Sequence, residues 1–186
     1  MIKKFELDLS SKITILGVEL FRIKALISFG NVEKGELGGY VEKEDNLSHS
    51  GDAWVSGNAR VSGNAEVSGN ARVYGDAWVS GNAEVYGNAE VSGNAEVYGN
   101  AEVYGNAEVY GNAEVSKLND YILFKNTWSS GRCFTYTKSN KMWKVGCFYG
   151  TGEELVKKAY EDSEKSGKHY EAYVNFVKTL EALDEN

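Results

Sequence analysis

The chain has 186 residues, a length that fits one or two domains, and its 42% hydrophobic and 12% aromatic content suits a folded protein with a real core. Twenty Lys+Arg against 27 Asp+Glu leave a net charge of -7, which argues against a general binder of nucleic acid or anionic membranes. Two cysteines are too few for a disulfide framework, two histidines leave little metal chemistry, and proline is absent.

The opening Met1-Ile2-Lys3-Lys4-Phe5-Glu6-Leu7-Asp8 has no apolar leader-like run. No stretch approaches the ~18 apolar residues of a membrane span, so a cytoplasmic protein is expected. Residues 1–50 read as an N-terminal β capping segment. Ile13-Thr14-Ile15-Leu16 and the run from Val18 to Ile27 form two strands around Gly17.

From Gly51 to Ser116 the chain is eleven consecutive hexapeptides, Gly-(Asn/Asp)-Ala-x-Val-(Ser/Tyr). A six-residue period fits no helix, because 3.6-residue turns would walk the valines around the axis. In an extended chain Ala-x-Val-(Ser/Tyr) alternates in, out, in, out. Gly-(Asn/Asp) then supplies a corner, since both residue types tolerate left-handed backbone angles. Three such sides close a coil, giving a mainly β fold: a triangular parallel β-helix over residues 51–116 with valine rungs inside. Asparagines one coil apart, such as Asn64, Asn82 and Asn100, are placed to form amide ladders. The open first coil is an unpaired sheet edge, hence the need for the cap.

Residues 117–186 read as a C-terminal α+β domain, a hairpin plus two helices. Tyr121-Ile122-Leu123-Phe124 is a strand, and a hairpin runs from about Arg132 to Tyr149 around Ser139-Asn140. Pairing its apolar faces sets Phe134 opposite Val145 and sends Cys133 and Cys147 to opposite sides, so both are expected as free thiols. Thr151-Gly152-Glu153-Glu154 matches a capping box that opens a helix with Leu155, Val156, Ala159 and Tyr160 on one face. A break near Ser166-Gly167 precedes a second helix carrying Tyr170, Tyr173, Val174, Val177 and Leu180.

The repeats hold nine acidic and two basic residues, a net -7 that equals the charge of the whole chain. With 18-residue coils, one side stacks Glu66, Glu84 and Glu102 beside Ser68, Tyr86 and Tyr104. A second carries Trp54, Arg72, Glu90 and Glu108 beside Tyr74 and Tyr110. The third carries Arg60, Trp78, Glu96 and Glu114 beside Tyr98. Like charges about 4.8 Å apart oppose folding, so the columns invite a functional reading. Duplication of one hexamer, with the charge kept for solubility, is the plainer account. The functional one is an acidic surface interleaved with tyrosines, suited to a basic groove. On that reading Glu66, Glu84, Glu90, Glu96, Glu102 and Glu108 bind a partner together with Tyr86, Tyr98, Tyr104 and Tyr110. Trp54 and Trp78 point outward and are either covered by residues 1–50 or offered to the partner.

No Ser/His/Asp, Cys/His or metal-ligand spacing stands out. His49 and His169 read as structural or solvated, and the Tyr149-Gly150-Thr151-Gly152 turn as capping rather than anion binding, because Glu153 and Glu154 share the first turn. No enzyme, cofactor or metal is expected.

The left-handed form of such a helix is implied by resemblance to hexapeptide acyltransferase-type solenoids, which are typically trimers with a histidine base and an inserted loop. Here no repeat is interrupted and none contains histidine. The stretches Leu37-Gly38-Gly39-Tyr40-Val41-Glu42-Lys43-Glu44, Leu20-Phe21-Arg22-Ile23-Lys24-Ala25-Leu26 and the segment from Trp143 to Leu155 resemble hexapeptide-repeat proteins of phages and prophages. That resemblance implies a protein acting inside a bacterial host cell and brings no catalytic residues. The leading reading is a non-enzymatic inhibitor of a host defence complex, of the anti-CRISPR kind, which blocks a basic nucleic-acid-binding surface without binding nucleic acid or membrane itself. The alternatives are a self-assembling scaffold, a homo-oligomeric sponge for nucleotide signals and, last, an acyltransferase using His49.

Overall fold

The structure is a computed structural model that describes residues 2–128 and 131–184. It divides into two compact units, Met1–Ile122 with Thr137–Asn140, and Leu123–Tyr136 with Lys141–Asn186.

The first unit is a parallel β-solenoid of roughly four turns. Strands β1 (Phe5–Ile15), β2 (Val18–Ala25) and β3 (Leu37–Val41) precede eleven two-residue strands, β4 to β14, one per repeat from Trp54–Val55 to Glu114–Val115. The eleven sort into three sides. One holds β4 (Trp54–Val55), β7 (Arg72–Val73), β10 (Glu90–Val91) and β13 (Glu108–Val109). The next holds β5 (Arg60–Val61), β8 (Trp78–Val79), β11 (Glu96–Val97) and β14 (Glu114–Val115). The last holds β6 (Glu66–Val67), β9 (Glu84–Val85) and β12 (Glu102–Val103). Neighbours on a side pair in parallel at an offset of 18, as in Val67↔Val85 and Val85↔Val103. Every repeat valine is fully buried, and the repeat alanines fill the tighter inward positions at 0–1% exposure.

Corners follow from chemistry that repeats. Gly81, for example, has φ +70°, and a Cβ there would sit 2.9 Å from the backbone nitrogen of Gly99 in the next coil. Beside it, Asn64 Nδ2 donates to Asn82 Oδ1 at 3.1 Å, and Asn82 Nδ2 to Asn100 Oδ1 at 3.0 Å. A second ladder runs from Asn70 through Asn88 to Asn106 at 3.1 and 3.2 Å.

The wall starts before the first hexapeptide. β3 pairs in parallel with β5 (Tyr40↔Arg60, Val41↔Val61), and Leu47 bridges Val67, all at an offset of 20 rather than 18. Segment 1–50 thus contributes an irregular first coil as well as the antiparallel pair β1–β2, which extends the same sheet. The expected strands around Gly17 are present, with β1 reaching back to Phe5. Its register slips between Asp8 and Lys12, where Asp8 Oδ1 accepts from the Ser10 amide at 3.0 Å and hydroxyl at 2.5 Å. A bulge of this kind spoils the free edge for pairing with another chain.

Backbone amides of an earlier coil donate to carbonyls of the later one, as Trp54 N does to Ala71 O at 3.0 Å. The first alanine carbonyls therefore need substitutes for a missing coil. Ala59 O takes the Tyr40 amide at 2.9 Å, Ala65 O the Asn46 side-chain amide at 2.8 Å, and Ala53 O the Lys4 ammonium at 2.8 Å. At the far end Ser139 Oγ accepts from the Glu114 amide at 2.8 Å, Asp120 Oδ2 from the Ser116 amide at 2.7 Å, and the Tyr121 hydroxyl donates to Glu102 O at 3.1 Å.

A four-stranded sheet, all but Tyr121, Ile122 and Thr137 of it in the second unit, runs in the order β15 (Tyr121–Lys125), β16 (Cys133–Thr137), β17 (Met142–Val145) and β18 (Phe148–Gly150), followed by α1 (Gly152–Asp162) and α2 (Glu164–Asp184). The region expected as one hairpin is three strands. Gly146, at φ +55°, and Cys147 make a two-residue turn between β17 and β18, which leaves Cys147 exposed at a turn instead of on a strand face. Both cysteines are free thiols. The capping box forms as read, with Glu154 N donating to Thr151 Oγ1 at 3.3 Å and Thr151 N to Glu154 Oε2 at 2.8 Å. The helix break falls at Ser163, not at Ser166-Gly167. Gly167 is buried inside α2, where a Cβ would lie 2.2 Å from the Tyr160 ring, so glycine here admits a neighbouring helix.

Candidate functional site: the outer sides of the solenoid

The x position of each repeat lies on the outer surface because its neighbours, alanine and valine, face in. The expected partner-binding residues are shared among three sides. Glu66, Glu84 and Glu102 stand in register on one side, all exposed, with Tyr86 and Tyr104. Glu90 and Glu108 face each other on the second with Tyr110, while Glu96 lies on the third beside Tyr98.

The tyrosines are not idle between the carboxylates. Tyr86 Oη donates to Glu102 Oε2 at 3.1 Å, and Tyr74 Oη to Glu90 Oε2 at 3.0 Å, each 16 residues ahead in the next coil. Tyr86 and Tyr104 stack at 5.5 Å with their planes 13° apart. Desolvation and then the Glu102 carboxylate raise the Tyr86 hydroxyl above its ordinary pKa. Burial does the same to Tyr74, opposed by a hydrogen bond with Ser92 and reinforced by Glu90. Both hydroxyls remain protonated donors at neutral pH and offset part of the repulsion within each column.

The two outward tryptophans differ. Trp54 is 4% exposed, in edge contact with Phe29 at 5.4 Å, so residues of the N-terminal segment cover it. Trp78 is half-buried, with Nε1 donating to Ser62 Oγ at 3.2 Å and the Arg60 guanidinium 5.9 Å from its ring. Only Trp78 retains an open surface.

His49 is held on both nitrogens. Nδ1 accepts from the Lys4 amide at 3.1 Å, which puts the proton on Nε2, and Nε2 donates to Glu44 Oε1 at 2.7 Å. The ring stacks on Phe5 at 4.3 Å. The hydrogen bond from His49, followed by Lys3, holds the Glu44 carboxyl below its usual range. His169 Nδ1 lies 2.6 Å from Lys165 O, and its ring packs on Trp128. Among the described residues no group of three or more His, Cys, Asp or Glu is placed to hold a metal, and no helix is long and apolar enough to cross a membrane.

Sequence reasoning missed Lys4, Asn46 and Tyr121 as the groups that close the solenoid. Lys4 meets its carbonyl partner 49 residues along the chain, and nothing in its immediate neighbours signals that contact.

Among known families, residues 65–81 match a model described as the YdcK beta solenoid repeat. The matched stretch is just short of one 18-residue coil and covers Ala65 to Glu66-Val67, Arg72-Val73 and Trp78-Val79. No curated protein matches the chain.

Proposed function

We propose that the solenoid is a non-enzymatic binding module whose acidic outer surface occupies a basic groove of another protein, in the place a nucleic acid would take. On the phage resemblance, the partner is a host defence complex of the CRISPR kind. Charge density along the axis carries the reading. Residues 81–116 contain six glutamates and no basic residue, whereas residues 51–80 contain three acidic and two basic ones. The last two coils therefore hold -6 and the preceding repeats -1. Three carboxylates per coil of ~4.8 Å give about one charge per 1.6 Å of axis, close to the ~1.7 Å per charge of duplex DNA. The stacked Tyr86–Tyr104 pair adds an aromatic ledge on which an arginine or lysine of the partner can rest. The engagement of both His49 nitrogens also supports a non-enzymatic role, since neither offers a free lone pair for a general base.

Binding to a fluorescent deca-arginine peptide tests this. The native protein should bind with steep salt dependence, and reversing Glu84, Glu96 and Glu102 to Lys should abolish binding while the circular dichroism spectrum is kept. Reversing Glu161, Asp162 and Glu164 on the second unit changes the net charge equally and should leave most of the affinity. Equal losses from the two triple variants would reduce the effect to net charge and overturn the proposal.

A further inference from the structure

The second unit contains a cavity of about 230 Å³ that the solenoid reading does not use. Its apolar floor is Tyr136, Trp143, Val174 and Val177, each at most 4% exposed. Gly152, the first residue of α1, lines it too, and a Cβ there would meet Val174 Cγ1 at 2.7 Å and Trp143 Nε1 at 3.3 Å. Glycine thus lets the start of α1 pack closely against Val174 and the indole nitrogen. Trp143 is 2% exposed, and its Nε1 has no hydrogen-bond partner among the described residues. An indole N–H without a protein partner on the wall of a cavity is a donor open to an acceptor.

Two charges of opposite sign stand at the rim. Lys141 is exposed and has no ion-pair or hydrogen-bond partner among the described residues. It occupies the left-handed region at φ +56°, unusual for a lysine. Glu181 accepts the Tyr136 hydroxyl on Oε1 at 2.5 Å, which leaves Oε2 with acceptor capacity. The other cation at the rim, Lys178, is already paired with Glu153 at 2.6 Å. The charges of the rim cancel, so neither a simple anion nor a simple cation satisfies it.

The geometry points to a site for a free aliphatic α-amino acid. Its carboxylate takes the Trp143 indole N–H and the Lys141 ammonium, its ammonium takes Glu181 Oε2, and its side chain lies on Val174 and Val177. The cavity is smaller than the ~300–1,000 Å³ of sites for drug-sized ligands and suits a molecule of that size. The hydrogen-bonding groups come from three elements: Trp143 from β17, Lys141 from the turn before it, and Glu181 from α2, where it continues the face of Val174 and Val177.

Indole resonances in a proton–nitrogen correlation spectrum test the assignment directly, because the chain has only four tryptophans. The Trp143 peak is identified by its loss in Trp143→Phe, or by elimination with Phe at the other three positions. Millimolar L-leucine should move that peak downfield and leave the other three in place. 4-Methylpentanoate, which lacks the ammonium, and isoamylamine, which lacks the carboxylate, should each bind about tenfold more weakly, the effect of one charged hydrogen bond. Lys141→Asn, which suits the left-handed turn, and Glu181→Gln, which can still accept from Tyr136, should each weaken leucine binding about tenfold without touching the core. An indole peak unmoved by leucine, isoleucine and valine would overturn the site. So would equal affinities for leucine and 4-methylpentanoate, or indifference to both rim substitutions.

Discussion

Trp54 and Trp78 occupy the same position of their repeats and meet opposite fates. Sixteen residues before Trp78 stands Ser62, whose hydroxyl takes the indole N–H. Sixteen before Trp54 stands Gly38, which has no side chain to offer, and the buried Trp54 Nε1 lacks a partner. A Cβ on Gly38 would lie 2.7 Å from Trp54 Cζ2, so the ring's fit demands the residue that cannot satisfy it. A buried donor left unmade costs roughly 1–3 kcal/mol, while removing it and keeping the shape is nearly free. Trp54→Phe removes that donor together with part of a buried ring, so relief and cavity offset each other and the net loss should be small. Trp78→Phe should lose about 1 kcal/mol, because the buried Ser62 hydroxyl is orphaned with it. Midpoints of urea unfolding decide the matter, and the prediction fails if Trp54→Phe is the more damaging of the two.

At the scale of the turn, positive φ alone does not define what a corner needs. Gly17, in the β1–β2 turn, has φ +84° and nothing within 4 Å of a Cβ, whereas Gly81 has φ +70° and the backbone of Gly99 at 2.9 Å. Gly17→Ala should cost only the left-handed penalty of about 1–2 kcal/mol. Gly81→Ala adds a clash between coils and should cost clearly more, measured as the difference in thermal midpoint. The repeating elements were legible in the sequence because Gly, Asn and Val recur at one fixed period, and that period sets corner, ladder and core together. The first coil was not, since Leu37–Val41 follows no repeat and joins the wall at an offset of 20. Gly167 was read as a breaker because its use depends on Tyr160, a residue on another helix. Likewise Trp143, Lys141 and Glu181 carry no shared motif. Val174 and Val177 were visible as a helical stripe, but the close approach of α1 beside them depends on Gly152.

Across the first unit, both ends of the solenoid are closed by groups that titrate. Burial lowers the Lys4 ammonium to about 8, against the pull of Asp52. Between there and its ordinary 10.5 the unfolded chain binds the extra proton, so stability rises with pH over that window. At the other end burial pushes the Tyr121 hydroxyl up to about 12, opposed by a hydrogen bond with the Tyr104 backbone and helped by the charges of Tyr104, Tyr86 and Glu102. Above its ordinary value of 10 the unfolded chain loses that proton first, so stability falls as pH climbs towards 12. Tyr136 in the second unit, raised by burial and then by Glu181, acts in the same direction. Thermal midpoints should pass through a maximum near pH 10. Lys4→Met should flatten the rising limb and Tyr121→Phe the falling one; unaltered limbs in both would refute the assignment.

That the two ends are sealed by different residues, each matched to its own side, restricts how such a protein can change length. Adding or losing six residues would turn the distal seal by a third of a revolution, so that Tyr121 would face a strand it does not fit. Twelve would do the same in the other sense. Only eighteen returns every seal to its seat, so the molecule can grow or shrink only in whole revolutions, and each one copied from the distal repeats would add three negative charges.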